Sequence, residues 1–347
     1  MKEKNPFTLT FGKLPNEYIS RNDNIYDIVS CFDADNPVSQ TFLIEGVRRS
    51  GKTVLMTAVS TELAESKKWI VVDLNQTQDL LKDLAMRLIS ACKKTPDIMK
   101  TGFNISFAGF GVGINDSSDF YDEISIIEEI LDQLQKKEKR LLITIDEVSN
   151  NDNMRRFASQ FQLFVRKDYP VFLIMTGLYD NIYAIQNDPS LTFLLRTPKI
   201  KTGPLGLNRI ARQYSSIFEI SGKEASDLAM ITKGYAFAFQ ALGMLYYEHR
   251  NITDLGEIII MLDDMLDDFV YKKIWADLSA KDRSIILSIT EDNMRVGDIC
   301  KKNDMPSNSF SVYRDHLIKR GILISPQHGY LSIALPRFRE VVSSYPE

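Results

Sequence analysis

Eight consecutive residues, Gly46-Val47-Arg48-Arg49-Ser50-Gly51-Lys52-Thr53, fit the pattern G-x-x-x-x-G-K-[ST]. The pattern has a definite chemistry. Its two glycines let the backbone curl so that successive N–H groups point into one concavity, and the start of a following helix adds positive potential there. Lys52 places a point charge on the outer phosphates of a nucleotide, and Thr53 offers its hydroxyl to a phosphate-bound Mg²⁺. The flanks meet the condition for the motif. TFLIE at Thr41–Glu45 reads as a strand, and Thr53 to Ser66 reads as a helix with Val54, Leu55, Ala58 and Leu63 at helical spacing. Gly46 through Val54 are the expected nucleotide contacts. Arg48 and Arg49 read as facing solvent or a partner.

A phosphate loop alone says only that a nucleotide binds. The second half of such a site is offered by Leu141-Leu142-Ile143-Thr144-Ile145-Asp146-Glu147. Its apolar residues form a strand that delivers Asp146 to the carboxyl edge of a sheet, where ligands of α/β sheets sit. Asp146 would hold Mg²⁺ through water, and Glu147 would orient or activate an attacking water. Thr176 ends a further apolar strand, Val171 to Thr176. Its hydroxyl would face the outer phosphate if that strand lies between the other two. Arg196, shortly before a last strand at Lys199–Lys201, is placed to reach a phosphate in its own chain or across a subunit boundary.

Positioning these groups takes strands that alternate with helices, the pattern of a parallel α/β sheet. The helices read from Ser20 to Phe32 and near 77–93, 119–136 and 154–166, with a second strand at Lys68–Asp73. Residues 102–115 break the rhythm with alternating apolar residues and glycines at 109, 111 and 113, and read as an inserted β-hairpin. The chain has 347 residues, which sets a prior of two or three domains. Its net charge of −4 excludes a global field for polyanions, so a nucleic-acid surface would have to be local. Cys31, Cys92 and Cys300 are far apart and show no metal spacing with the three histidines, as expected of reduced thiols in a cytoplasmic protein. No secretory leader is read at the start, and no apolar run approaches the roughly 20 residues of a membrane helix.

From Leu207 to about Ala276 only helices are read. Asp263, Asp264, Asp267 and Asp268 fall there at helical spacing, where a solvated face is a simpler reading than a metal cluster. From Leu278 the order is three helices and then a hairpin around Pro326-Gln327-His328-Gly329, the winged-helix arrangement. From Lys272 onward twelve Lys and Arg stand against nine Asp and Glu, unlike the acidic whole. Lys301, Lys302, Asn308, Arg314, Lys319 and Arg320 are of the types that contact phosphates and base edges, so double-stranded DNA is a candidate partner. Asp304 and Asp315 dilute that field, and winged helices also contact proteins.

GVRRSGKT, LLITIDE, the strand ending in Thr176 and the helical region together resemble the AAA+ and STAND-type P-loop ATPases. The nearest likeness is to the prokaryotic group with a C-terminal winged helix, related to the origin-recognition type. The resemblance covers most of the chain. It implies an α/β P-loop NTPase sheet of strand order 5-1-4-3-2 with ATP and Mg²⁺ as cofactors, nucleotide-dependent domain motion and often a homo-oligomer. It makes Thr176 the first sensor, Arg196 the arginine finger, and Arg21 the arginine of a G-R pair near the adenine, although Ser20 stands where that pair has Gly. In the lid, Gly234-Tyr235-Ala236 matches neither a second-sensor arginine nor G-x-P, so slow hydrolysis is expected. Three domains are expected: an ATPase core over 1–206, a helical lid over 207–276 and a winged helix over 277–347. The implied function is an ATP-driven switch acting on DNA. The alternatives are a signalling or defence ATPase whose winged helix contacts protein, and a nucleotide-binding scaffold without turnover.

Overall fold

The computed structural model describes residues 5–10, 15–94 and 123–345, and the hairpin expected near 102–115 lies outside them. The chain divides into two compact units. One comprises Asn22–Glu45 and Leu55–Ile200, the other Met1–Arg21, Gly46–Val54 and Lys201–Glu347.

The first unit is a parallel sheet covered by helices. Its elements run α1 (Asn22–Asp33), β1 (Thr41–Glu45), α2 (Lys52–Ala64), β2 (Trp69–Leu74), α3 (Leu80–Lys94), α4 (Glu123–Lys136), β3 (Arg140–Ile145), α5 (Asp152–Arg166), β4 (Val171–Gly177), α6 (Tyr179–Gln186), a 3₁₀ turn (Thr192–Arg196) and β5 (Lys199–Lys201). The strand order is β2-β3-β4-β1-β5, the expected 5-1-4-3-2 read from the opposite edge. β4 lies between β3 and β1 and is parallel to both, with Ile145 opposite Met175 and Ile44 opposite Thr176. Every residue of β4 is buried, because helices cover both faces of a parallel sheet and leave no polar side. One face is an aromatic cluster of Phe32, Phe42, Trp69 and Phe172, with Arg140 over the Trp69 and Phe172 rings. The other packs Leu43, Ile143 and Leu173 among the apolar stripes of α3, α4 and α5.

The second unit is helical, then mixed. α7 (Leu207–Phe218), α8 (Gly222–Ile231), α9 (Ala236–His249) and α10 (Leu255–Leu266) lead through a π-helical turn (Asp267–Tyr271) into α11 (Lys272–Ala276). There follow α12 (Ala280–Ser288), β6 (Met294–Arg295), α13 (Val296–Lys302), α14 (Ser307–Lys319), β7 (Leu323–Ile324), β8 (Tyr330–Ile333) and α15 (Phe338–Val342). α12 opens with a capping box, Ser279 with Asp282. The small sheet has the order β6-β8-β7. β6 has two residues and α15 five, too short for hydrophobic periodicity to announce them. A π turn interrupts the helical run between α10 and α11. Its acidic side chains are mostly paired: Asp263 with Arg337, Asp267 with Lys272 and Tyr345, Asp268 with Lys272. No group of metal-ligating side chains occurs among the described residues, nor any helix long and apolar enough to cross a membrane.

The N-terminal segment is held by hydrogen bonds from Asn5 to Met244 and Glu248 and from Thr8 to Gln240, and by one buried ring. Phe7 is buried among Tyr214, Phe218 and Phe239, with ring centroids 5.9, 5.6 and 5.7 Å away. Its ring occupies the space beside Gly243, where an added Cβ would meet it at 2.5 Å. Phe7→Ala therefore opens a cavity that the α9 backbone cannot fill. It should destabilise this unit by about 3–4 kcal/mol, read as a lower urea midpoint, while Phe7→Leu should recover more than half of the loss.

Candidate nucleotide-binding site

The phosphate loop leaves β1 at Gly46, turns through left-handed backbone at Arg49 (φ 56°) and Gly51 (φ 92°), and enters α2 at Lys52. Gly46 admits no side chain, since a Cβ would lie 2.0 Å from the Thr202 hydroxyl and 2.7 Å from that of Ser50. Those two hydroxyls are hydrogen-bonded at 2.6 Å. Lys52 is buried, and its Nζ donates to the carbonyls of Gly46 (3.1 Å) and Val47 (3.0 Å). The Tyr235 hydroxyl donates to the Arg48 carbonyl at 2.5 Å, and burial holds its pKa far above the ordinary phenol value. Arg21 donates to the carbonyls of Ser50 (3.1 Å) and Gly203 (2.6 Å), and burial lowers its pKa. Arg21 thus braces the loop from behind. Thr202, Gly203 and Tyr235 lie outside the sequence expectation.

Arg48 and Arg49 are packed on their own chain, where the sequence reading had them facing solvent or a partner. Arg48 pairs with Asp277 at 3.3 Å. The Arg49 guanidinium lies 5.2 Å from the Phe237 ring centroid and 6.0 Å from that of Phe269. A guanidinium is weakly hydrated and stacks readily on ring faces, which a lysine would do less well.

The acidic residues follow β3. Asp146 accepts hydrogen bonds from the Thr176 hydroxyl and, at 3.1 Å, from the backbone N–H of Glu147. The same N–H reaches Thr176 Oγ1 at 3.2 Å. Thr176 is fully buried, so its hydroxyl donates to one acid and accepts from the backbone of the next. It orients the Asp146–Glu147 corner directly, a role the sequence reading did not assign to it. Glu147 is exposed and sits at φ 54°, an uncommon conformation for a non-glycine residue. The corner is held by Val148 N–H donating to the Thr176 carbonyl at 2.8 Å and by the Gln76 amide on the Glu147 carbonyl. Arg196 is exposed at the end of the 3₁₀ turn, two residues before β5.

Lys52 and the Thr53 hydroxyl are of the donor types that the phosphates of a nucleotide and a phosphate-bound Mg²⁺ would meet. In the C-terminal region Lys301 is largely exposed, Lys302 donates to the Ser288 carbonyl at 3.2 Å and to Thr290 at 3.0 Å, and Asn308 accepts from the Ser309 N–H. Arg314 is paired with Asp315 at 2.8 Å, Lys319 is exposed, and Arg320 donates to the Asp277 carbonyl at 3.3 Å.

The chain is similar in structure to the Walker-type ATPase PABY2304 of Pyrococcus abyssi, with 15% identity, 97% of this chain and 99% of that one covered, and a TM-score of 0.70. It is similar also to the ORC2 protein of Aeropyrum pernix in ADPNP–ADP complexes, with 13% identity, 96% and 95% covered, and a TM-score of 0.56. A family model for a domain of unknown function, DUF8462, matches residues 268–342. No curated protein matches the chain in sequence.

Thr176→Val keeps the shape of the side chain and removes the hydroxyl that two partners share. It should cost about 1–3 kcal/mol in urea unfolding, and Thr176→Ser should retain most of that stability. Equal midpoints for the Val variant and the wild type would contradict the bracing role.

Proposed function

From a chain that has the P-loop ATPase fold seen in origin-recognition-type proteins, we propose an ATP-binding switch that hydrolyses ATP slowly and passes its nucleotide state to a C-terminal winged helix. The observation that carries this reading is the braced loop, with Lys52 held at its centre and left-handed backbone at Gly51. Lys52 neutralises the outer phosphates. Thr53 and Asp146 would be the residues that hold a bound Mg²⁺. Bound Mg²⁺ would supply charge neutralisation of the phosphate oxygens. Glu147 orients water for in-line attack and takes its proton, while Thr176 holds the Asp146–Glu147 corner and so sets the carboxylate's aim. Arg196 would reach a phosphate in its own chain or a neighbouring copy.

The three parts assigned are the core over 1–206, the lid over 207–276 and the winged helix over 277–347. The arrangement of α12, α13, α14 and the β7–β8 hairpin supports the winged-helix assignment. For DNA, α14 would enter the major groove, with Asn308 and Arg314 toward base edges and Lys301, Lys302, Lys319 and Arg320 toward phosphates. A second reading has a specific observation behind it. Arg314 is paired with Asp315, and Val312 on the same helix is 69% exposed, which suits a protein partner better than a duplex.

Steady-state hydrolysis of ATP, with and without duplex DNA at two salt concentrations, tests the reading. Lys52→Ala should lose ATP binding. Glu147→Gln should keep binding and lose turnover by at least a hundredfold, the scale of removing a catalytic base. DNA stimulation that fades with salt supports the duplex, since phosphate contacts release counterions. Turnover with no response to DNA, and no DNA affinity, favours the protein partner. Equal, negligible turnover in wild type and Glu147→Gln would leave a binding scaffold.

A further inference from the structure

The loop's two arginines are tied to one short stretch of chain. Arg48 pairs with Asp277, which also attracts Lys273 at 3.8 Å and whose carbonyl receives Arg320 at 3.3 Å. The Arg48 Nε is itself buried without a hydrogen-bond partner, so the side chain is held for its pairing at the other end. Arg49 lies over Phe269, within the π turn Asp267–Tyr271. That turn is fastened to the C-terminal segment by the Tyr345 hydroxyl on Asp267 and the Tyr271 hydroxyl on the Pro336 carbonyl. Val47 packs among the apolar side chains of the same unit, and Tyr235 holds the Arg48 carbonyl. Two successive loop residues, Arg48 and Arg49, are thus attached to the start of α9, the π turn and the residue that ends α11.

π turns inside helices are uncommon and often mark functional positions, because one extra residue per turn weakens the local ladder. Here the weak turn lies where the helical part meets the C-terminal part; Arg49 lies over its Phe269, and Arg48 holds Asp277 at the end of the helix that follows. Two kinds of anion compete for Arg48: the Asp277 carboxylate and any phosphate brought to the loop. A triphosphate carries several negative charges and would outweigh one partly exposed carboxylate, whose pairing is intrinsically weak.

We propose that segment Asp267–Asp277 is a latch read by the phosphate loop, in which ATP binding draws Arg48 and Arg49 from Asp277 and Phe269 and frees the segment to move the C-terminal region. The proposal rests on the nucleotide reading above. By linkage, a loop that must give up these contacts binds ATP more weakly than one without them, and breaking the latch must tighten binding by the same factor that ATP loosens the latch.

The test uses the full chain, ATP with Mg²⁺, titration calorimetry and amide hydrogen exchange. In the wild type, saturating ATP should speed exchange over 267–277 severalfold. Asp277→Asn and Phe269→Leu should each bind ATP about threefold tighter and together about tenfold tighter, with exchange over 267–277 already fast before ATP is added. A purely structural role would lower the melting temperature of these variants and leave ATP affinity unchanged. ATP binding of equal or weaker affinity in the variants, with no change of exchange over 267–277 in the wild type, overturns the latch and leaves the nucleotide reading standing. If Asp277→Asn does not fold, Phe269→Leu and the wild-type exchange decide alone. No ATP binding by the wild type or by either variant overturns the nucleotide reading and the latch with it.

Discussion

A loop that gathers its N–H groups around a polyanion turns its carbonyls outward, and those carbonyls must find donors. In this chain one donor lies within the loop itself and the others come from far along the sequence. Lys52 serves Gly46 and Val47, Tyr235 serves Arg48, and Arg21 serves Ser50. A buried carbonyl without a donor costs roughly 1–3 kcal/mol, so four such groups amount to a large share of a domain's net stability. The loop's shape therefore depends on the unit around it. The N-terminal segment, the turn at Thr202 and Gly203, and the start of α9 are all placed where this need is met.

The acidic corner obeys a different constraint. Its position follows from strand order, because β4 next to β3 in parallel brings Thr176 beside Asp146. A buried threonine hydroxyl must be satisfied, and the Asp146 carboxylate and the Glu147 N–H satisfy it together. The left-handed Glu147 is retained because Val148 N–H is anchored on the Thr176 carbonyl and Gln76 on the Glu147 carbonyl. Strain of this kind persists where the surroundings over-determine it. Thr176 accordingly braces both residues of the corner, through the Asp146 carboxylate and the Glu147 backbone.

Much of the fold was legible. The run Val171–Met175 has no polar residue, and only a strand covered on both faces uses such a run. Strand β5 was read at Lys199–Lys201, where the structure has it. Strand β6 and helix α15 were not legible, since Met294–Arg295 and Phe338–Val342 are shorter than any period they could show. The π turn was invisible for a related reason. Asp267–Tyr271 contains no glycine or proline to mark a break, and only the hydrogen-bond partners reveal the extra residue.

The sequence by itself determined the chemistry on offer. A lysine and a hydroxyl follow two glycines at set spacing, and two acids follow an apolar strand; local order suffices, because neighbours in a strand–loop–helix cannot be far apart in space. What only the tertiary structure decided is who holds these groups. That Arg21 braces Ser50, that Tyr235 takes the Arg48 carbonyl, and that Arg48 and Arg49 turn to Asp277 and the rings of Phe237 and Phe269 depend on contacts between residues from about thirty to more than two hundred positions apart. Side chains so distant meet only after the helices and strands between them have packed, and no local pattern records which donor will face which carbonyl.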